Sequence, residues 1–600
     1  MKSHRFVLVW LIFGIPIISY LLLQKTFNLA LYGDDWLQLY NLWLSFDVHK
    51  TLSFFDIKSY LSSYWPQYFF LGIIRHFFEY EAPAYFAVSL LLRILAIISL
   101  FFLVRELSKS YLTAFLATLI FTFSVTGLQT TDWVFNMNTY AGIFFLNLAM
   151  VFYLKIRKLK TYLSWHYLTY ILFFTLALGV VPVRMHSAVP FVIISELFLY
   201  IFIDKKNILK PDIFLIARLA LSAAIMLMLV KVGSFVLGGE FPQLAHNLLY
   251  LQDTVQKGGY DILFYFLGII GNMVIPDTTN PAASFNHLLT IIIFFTFVGL
   301  AFSFSLKGSR IMYVAILTFN VLWIIVGNLL TLWNPNLSLS SLFAISVGSQ
   351  SIFLSTIVFF KTYKLHPYLA SSIIIALFWM ISFTLIYWFR TGFQILESTS
   401  RYMTVGAVGF AILLASIITI MFREYTTIPQ LSAKTRLIKS ISLMVPFLVL
   451  ISWLNINFQS SQLYFTSLEN NRNLALVNKT WNRLKSYVPK LDEGIPSVFY
   501  FTYDNSTAAY MVLTFGFWPH AGLVYGIPTM ENTPLPTDSY PELLEIIRTG
   551  EPLKRIHGRK EIPVSLSRVF AFDFRNGELV PITDQIRQKL TGDLKLKETN

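Results

Sequence analysis

The chain has no cysteine among its 600 residues. Disulfides, thiolate metal sites and cysteine nucleophiles are therefore excluded, and the redox compartment is left undecided. Charge is also scarce. Asp, Glu, Lys and Arg make up 13% of the chain, about half the share that covers a soluble globular protein. No glycine-rich phosphate loop follows a strand pattern, which argues against nucleotide hydrolysis. What fills the chain instead is apolar: 56% of residues, with 17% aromatic and phenylalanine the commonest ring. Rings at that density suit buried helix contacts and interfacial belts. The composition is that of a multi-pass membrane protein.

About thirteen apolar segments approach the length at which a helix satisfies its backbone inside lipid. They cover residues 6–23, 84–104, 111–127, 138–154, 166–183, 187–203, 213–232, 286–306, 311–332, 340–360, 367–388, 402–422 and 439–457. The first follows Met1-Lys2-Ser3-His4-Arg5 without a small-residue cleavage site, and reads as an uncleaved signal anchor. Basic residues in the connections set the orientation. Lys155, Arg157, Lys158 and Lys160 fall on one side, together with Lys205, Lys206, Lys210, Lys307, Arg310, Lys361 and Lys364. The opposite connections are longer and poorer in Lys and Arg. The N-terminus is expected to be cytoplasmic and the C-terminus outside. Much of the net charge of +14 is then topological, and no nucleic-acid partner is expected.

Two outer loops, 24–83 and 233–285, are too long to be plain connectors. The first holds amphipathic helical patterns at 35–46 and 65–78, expected to lie in the interface with Trp36, Trp43, Tyr64 and Trp65 at headgroup depth. The second holds an amphipathic pattern at 244–256 and an apolar, re-entrant-length helix at 262–274. Residues 1–458 form the membrane domain. Residues 459–600 read as a small extracytoplasmic α/β domain. It has a helix over 463–487, a buried strand over 496–503, a helix over 540–548 after a Pro/Thr-rich turn, and a hairpin around Arg575-Asn576-Gly577-Glu578. The expected fold class is an all-α polytopic membrane protein with that small C-terminal domain appended.

Asp34 and Asp35 stand in Leu31-Tyr32-Gly33-Asp34-Asp35-Trp36, just beyond the first span. Adjacent carboxylates repel, so the pair is costly without water, a cation or a basic group beside it. The plain alternative is a solvated turn with Asp34 as helix N-cap. Asp132, in Thr130-Thr131-Asp132-Trp133, falls on the same side. So do Arg184 and His186 between spans five and six, Lys231 near the end of span seven, and Arg390, Glu397, Arg401 and Tyr402 ahead of span twelve. Ionisable groups at membrane depth are expensive, and function is their default explanation. Sugar transfer from a lipid-linked phosphate suits such a set. The leaving phosphate is stable as an anion, so no general acid is needed. One carboxylate takes the proton from the attacking hydroxyl, and cations hold the phosphate as its charge grows. Asp34, Asp35 and Asp132 could also ligate a hard divalent cation, Mg or Mn, although their spacing is no metal signature.

These features together resemble the GT-C superfamily of membrane glycosyltransferases, which includes protein O-mannosyltransferases and aminoarabinose transferases. The resemblance rests on the acidic pair in the first outer loop, the acidic residue of the second, the multi-span core and the outer C-terminal domain. It implies that Asp34 and Asp35 are catalytic, that Asp132 contacts substrate, and that Arg401-Tyr402 helps hold the donor phosphate. Arg184, with His186 and Lys231, is a further phosphate-side candidate. The implied donor is a polyprenyl-phosphate-linked sugar, and the acceptor a glycan, lipid or protein, in a bacterial plasma membrane among membrane lipids. No cofactor is required beyond the optional cation. A transporter or flippase for lipid-linked glycans, and an O-antigen-type polymerase or ligase, are the alternatives. Charges crowding one face and the absence of a paired repeat weigh against the transporter. The acidic first loop weighs against the polymerase.

Overall fold

A computed structural model of the chain describes residues 2–51, 65–159, 164–185, 187–237, 252–253, 256, 264–277, 310–334, 337–388, 397–426, 433–503, 513, 515–551, 563–575 and 577–598. The chain forms two compact units. One comprises residues 1–23, 89–131 and 136–462; the other comprises 24–88, 132–135 and 463–600.

The first unit is helical. Seven described helices are long and apolar enough to cross a membrane: Arg5–Asn28, Ala82–Ser108, Val134–Ile156, Val314–Trp333, Leu339–Thr362, Pro367–Thr384 and Arg401–Arg423. The chain is a multi-pass integral membrane protein. The expectation of about thirteen spans meets shorter helices at several positions: Tyr111–Phe123, Trp165–Val180 and Ala188–Phe202 fall below spanning length. Helix Ala433–Arg472 runs well past the expected end at 457. The expected span 286–306 and the 244–256 helix lie essentially outside the described residues. The 262–274 segment is helical over Tyr265–Val274.

In lipid, burying apolar surface drives helices together only weakly, so close backbone approach and polar contacts matter more. Both are present. A Cβ built on Gly271 would overlap the Ala344 carbonyl, and one on Gly348 would overlap that of Leu267. Helices Tyr265–Val274 and Leu339–Thr362 therefore cross where only glycines fit. Trp10 Nε1 donates to Thr118 Oγ1 at 3.0 Å, Thr113 bonds Thr419 at 3.0 Å, and Gln350 bonds Asn320 at 2.5 Å. Glu196, fully buried, takes Arg157 at 2.6 Å and Arg218 at 2.7 Å. The first helix turns Phe6, Ile12, Phe13 and Ile17 outward, each more than half exposed. Such a stripe is unfavourable in water and suited to acyl chains.

The second unit is mixed. Its sheet has the order β2-β1-β3-β4, with β1 (Val498–Tyr503), β2 (Leu535–Thr537), β3 (Val569–Arg575) and β4 (Glu578–Pro581). β1 is parallel to both β2 and β3, and β4 closes an antiparallel hairpin with β3. Strand alternation sends Phe499 and Phe501 to one face and Val498 and Tyr500 to the other. The first face packs on Val477, Trp481, Leu484 and Phe517, and its core also includes Ala30 from the first loop. The expected helix over 463–487 is broken. Helix Ala433–Arg472 ends, Asn473 adopts an extended backbone, and helix Leu474–Tyr487 begins with the Asn473 side chain accepting from Ala475 N and Leu476 N. The break has a partner: Leu29 bridges Asn473, and Ala30 N donates to Arg472 O at 2.9 Å.

Candidate functional site

Asp34 and Asp35 open helix Asp34–Trp43, and the N-cap is Gly33, not Asp34. Gly33 has φ +56°, and a Cβ there would overlap the Phe515 ring, so glycine alone suits the turn. The helix docks through its aromatic residues. Trp36 stacks on His520 with ring centroids 3.6 Å apart and 5° between planes, and donates from Nε1 to Leu31 O. Tyr40, fully buried, donates to Ile527 O at 2.8 Å. Trp36 is thus packed inside this unit, where the sequence had suggested headgroup depth. Its ring finds a flat imidazole partner about 480 residues along the chain.

One helical step separates the two carboxylates and gives them different surroundings. Asp35 is fully buried; Asp34 is half-buried. Asp35 Oδ1 accepts from Phe135 N at 2.8 Å and Oδ2 from Tyr32 N at 3.2 Å. Asp35 thereby ties the first loop to the segment after Asp132. Burial pushes its carboxyl up to about 7, against the pull of those two N–H groups and of Arg472, with the neighbouring Asp34 charge adding to the rise.

Asp132 is neutralised in another way. Arg472 Nη2 pairs with its Oδ2 and also donates to its carbonyl at 2.9 Å, while Tyr464 Oη donates to Oδ1 at 2.9 Å. Burial raises the Asp132 carboxyl above the usual range despite these partners. The Arg472 guanidinium also lies 5.4 Å from the Tyr32 ring centroid. Arg472 and Tyr464 were not foreseen, and no local signal marks them, since 340 and 332 positions separate them from Asp132.

Each carboxylate oxygen of Asp35 and of Asp132 accepts a hydrogen bond, and the Arg472 charge opposes a second cation beside Asp132. Among the described residues, no group of three or more His, Asp or Glu side chains is placed to hold a metal ion.

In the helical unit the basic candidates form their own cluster. Arg184, buried, donates to Thr139 Oγ1, to Asn136 Oδ1 and, at 3.4 Å, to the Arg401 carbonyl. Its guanidinium lies 5.7 Å from the Tyr402 ring centroid and that of Arg401 lies 4.9 Å from it. Two cations thus share one phenol ring, an arrangement that an anion would stabilise. The Arg401 turn is held from several sides. Gly127 N donates to Ser398 O and Gln129 N to Thr399 O, both at 2.9 Å. Gln129 Oε1 accepts from Arg401 N at 3.3 Å, and Thr404 donates to Arg401 O at 2.9 Å. Asp277 and Ser398 exchange hydrogen bonds at 2.9 and 3.0 Å. Gly127 has φ +79°, and a Cβ there would overlap Thr404. Glu397 is exposed. Lys231 lies in helix Ile213–Leu237, while His186 and Arg390 lie outside the described residues.

No family model matches the chain, and no curated protein is significantly similar in sequence. Among solved structures it is similar to the Archaeoglobus fulgidus oligosaccharyltransferase in complex with Zn and sulfate, at TM-score 0.43 and 14% identity over 93% of this chain and 67% of that one. It is also similar to the archaeal oligosaccharyltransferase AglB of Archaeoglobus fulgidus in complex with an inhibitory peptide and a dolichol-phosphate, at TM-score 0.44 and 12% identity over 95% and 70%. Likeness at these values carries no weight for activity.

Proposed function

We propose that the chain is a membrane glycosyltransferase that moves a sugar from a polyprenyl-phosphate-linked donor to an acceptor hydroxyl at the outer face of the membrane. The observation that carries this reading is the division of labour in the acidic pair. Asp35 is buried and bonded to two backbone N–H groups, which fixes the helix start. Asp34, one residue earlier and half-buried, is the less buried of the two carboxylates and is assigned the substrate hydroxyl. Asp34 is the general base and Asp35 its positioning residue. Arg184 and Arg401, braced on Tyr402, supply positive charge for the lipid phosphate, whose departure needs no protonation. Asp132, paired with Arg472, holds the second loop and does not contact substrate. The N-terminus is cytoplasmic and the mixed unit outside in this reading, as the basic connections imply.

The test uses the full chain in lipid nanodiscs with short-chain polyprenyl phosphates carrying glucose, mannose, galactose or arabinose, and follows release of polyprenyl phosphate. Asp34→Asn is expected to lower kcat by about 10²–10⁴. Arg401→Met is expected to raise KM for every donor that is turned over. Full turnover by D34N ends the assignment.

A further inference from the structure

Arg93 is a buried cation of the helical unit that the reaction does not use. It lies within the spanning helix Ala82–Ser108 and is 3% exposed. Its cost there calls for a role. Among the described residues its hydrogen-bond partners are all neutral. Nη1 donates to Thr131 Oγ1 at 3.2 Å and to Tyr140 Oη at 3.1 Å. Nη2 donates to Thr122 O at 3.3 Å and to Ser124 O at 3.2 Å. A guanidinium fork reaches four acceptors held in one plane, whereas the three donors of an ammonium radiate from one point.

These acceptors mark the two ends of one connection. Helix Tyr111–Phe123 stops at Ser124, whose ψ is 125°, and a helix end leaves its last carbonyls without partners in the helix. Arg93 supplies partners for two carbonyls there. At the other end Ser89, one helical turn before Arg93, donates to Thr131 O at 3.0 Å. One face of helix Ala82–Ser108 thus grips both the carbonyl and the hydroxyl of Thr131. The backbone between, residues 124–128, is buried and irregular. Such backbone persists at membrane depth only with its polar groups satisfied.

From this connection the bonds continue to the Arg401 turn. Gly127 N and Gln129 N donate to Ser398 O and Thr399 O, and Gln129 Oε1 accepts from Arg401 N. Thr130 Oγ1 lies 2.6 Å from Thr404 Oγ1, which donates to Arg401 O. We infer that Arg93 is a positioning residue for the Arg401 turn: its clamp on Thr122, Ser124 and Thr131 sets where the connection presents Arg401 and Tyr402. The effect on the donor phosphate rests on the transferase reading; the clamp itself does not.

The experiment uses the full chain in nanodiscs. The chain has no cysteine, so Thr130→Cys with Thr404→Cys introduces the only thiols. Their rate of disulfide formation with copper phenanthroline as oxidant reads the spacing of connection and turn. R93M is expected to slow that rate about tenfold, and R93K less, because lysine keeps the charge and loses the fork. Without the added cysteines, R93M is expected to raise KM for the polyprenyl-phosphate donor about tenfold while kcat falls much less. R93M/R401M should raise it no further than R401M alone, since both act on one contact. T131V/Y140F removes the two hydroxyl acceptors and leaves the arginine in place; it should shift rate and KM about threefold, and gives the reading if R93M does not fold. An unchanged cross-linking rate in the variants overturns the clamp, whether or not the chain transfers sugar. Lower kcat at unchanged KM overturns the positioning of Arg401 and leaves Arg93 a stabilising residue only. No turnover by any form, wild type included, removes the transferase reading, and the cross-linking rate then decides the clamp.

Discussion

The acidic centre of the mixed unit and the basic centre of the helical unit solve the same problem with different materials. Each buries charge. In the mixed unit Asp132 is met by a full opposite charge on Arg472, while Asp35 next to it is met by two backbone N–H groups. In the helical unit Arg184 is held by an amide oxygen, a hydroxyl and a carbonyl, and Arg93 by Thr131, Tyr140 and the carbonyls of Thr122 and Ser124. A charge held by dipoles keeps much of its field, whereas one held by a counter-ion is cancelled locally. Asp132 is cancelled locally by Arg472, whereas the Arg184 charge is held by neutral groups.

The sharpest way to break that distinction is to remove Arg472. Arg472→Met leaves the buried Asp132 without its counter-ion and is expected to destabilise the chain by about 3–5 kcal/mol. The double variant R472M/D132N is expected to recover most of that loss. Unfolding in mixed SDS micelles measures both. A double variant no better than the single one would show that Arg472 acts through packing on Tyr32, not through charge.

The next test is pH. Asp35 in the folded chain titrates near 7, above its unfolded value. The folded state therefore holds a proton that the unfolded state has already lost, and the stability Asp35 contributes falls as pH rises from about 4 to about 7, by about 4 kcal/mol at most. His520 runs the other way. Burial between Trp36 and Trp481 pushes it down to about 3, so the unfolded chain takes up a proton first, and stability falls as pH drops below about 6.5. The two slopes oppose one another, and the wild-type chain is expected to be nearly flat between pH 5 and 6.5. H520F should unmask a loss of stability with rising pH, and D35N a gain. Midpoints at pH 5, 5.5, 6 and 6.5 decide; parallel profiles for wild type and both variants would remove Asp35 and His520 as the titrating pair.

How much of this could be read from the chain alone depends on the range of the interaction. Local periodicity placed helices Trp65–Phe78 and Tyr540–Arg548 and the β3–β4 hairpin where they are found. Asp34 and Asp35 were visible as a costly pair, but nothing in two identical side chains tells which is buried. That depends on Phe135, a hundred residues on. The break at Asn473 was hidden for the same reason, because its partner is Leu29. Strand β2 passed for a turn because it contains Pro536, and an edge strand tolerates a proline that a central one would not. The span count exceeded the number of long apolar helices because an apolar run measures composition. A break such as Val181-Pro182, after helix Trp165–Val180, fixes where the helix ends.

Smaller effects test whether the two units are held as differently as their charges are. Gly33→Ala forces a side chain into a left-handed turn and against Phe515, and is expected to cost about 1–3 kcal/mol. Thr113→Val removes one interhelical hydrogen bond to Thr419 in the helical unit. In lipid such a bond contributes about 0.6 kcal/mol, because the separated helices also find partners for their hydroxyls. Valine keeps the shape and removes only the donor. T113V should therefore shift the unfolding midpoint far less than G33A, because the Thr419 hydroxyl left behind still donates to Ala415 O at 2.8 Å. A T113V loss as large as that of G33A would mean that the helical unit relies on its few hydroxyl contacts as heavily as the mixed unit relies on backbone fit.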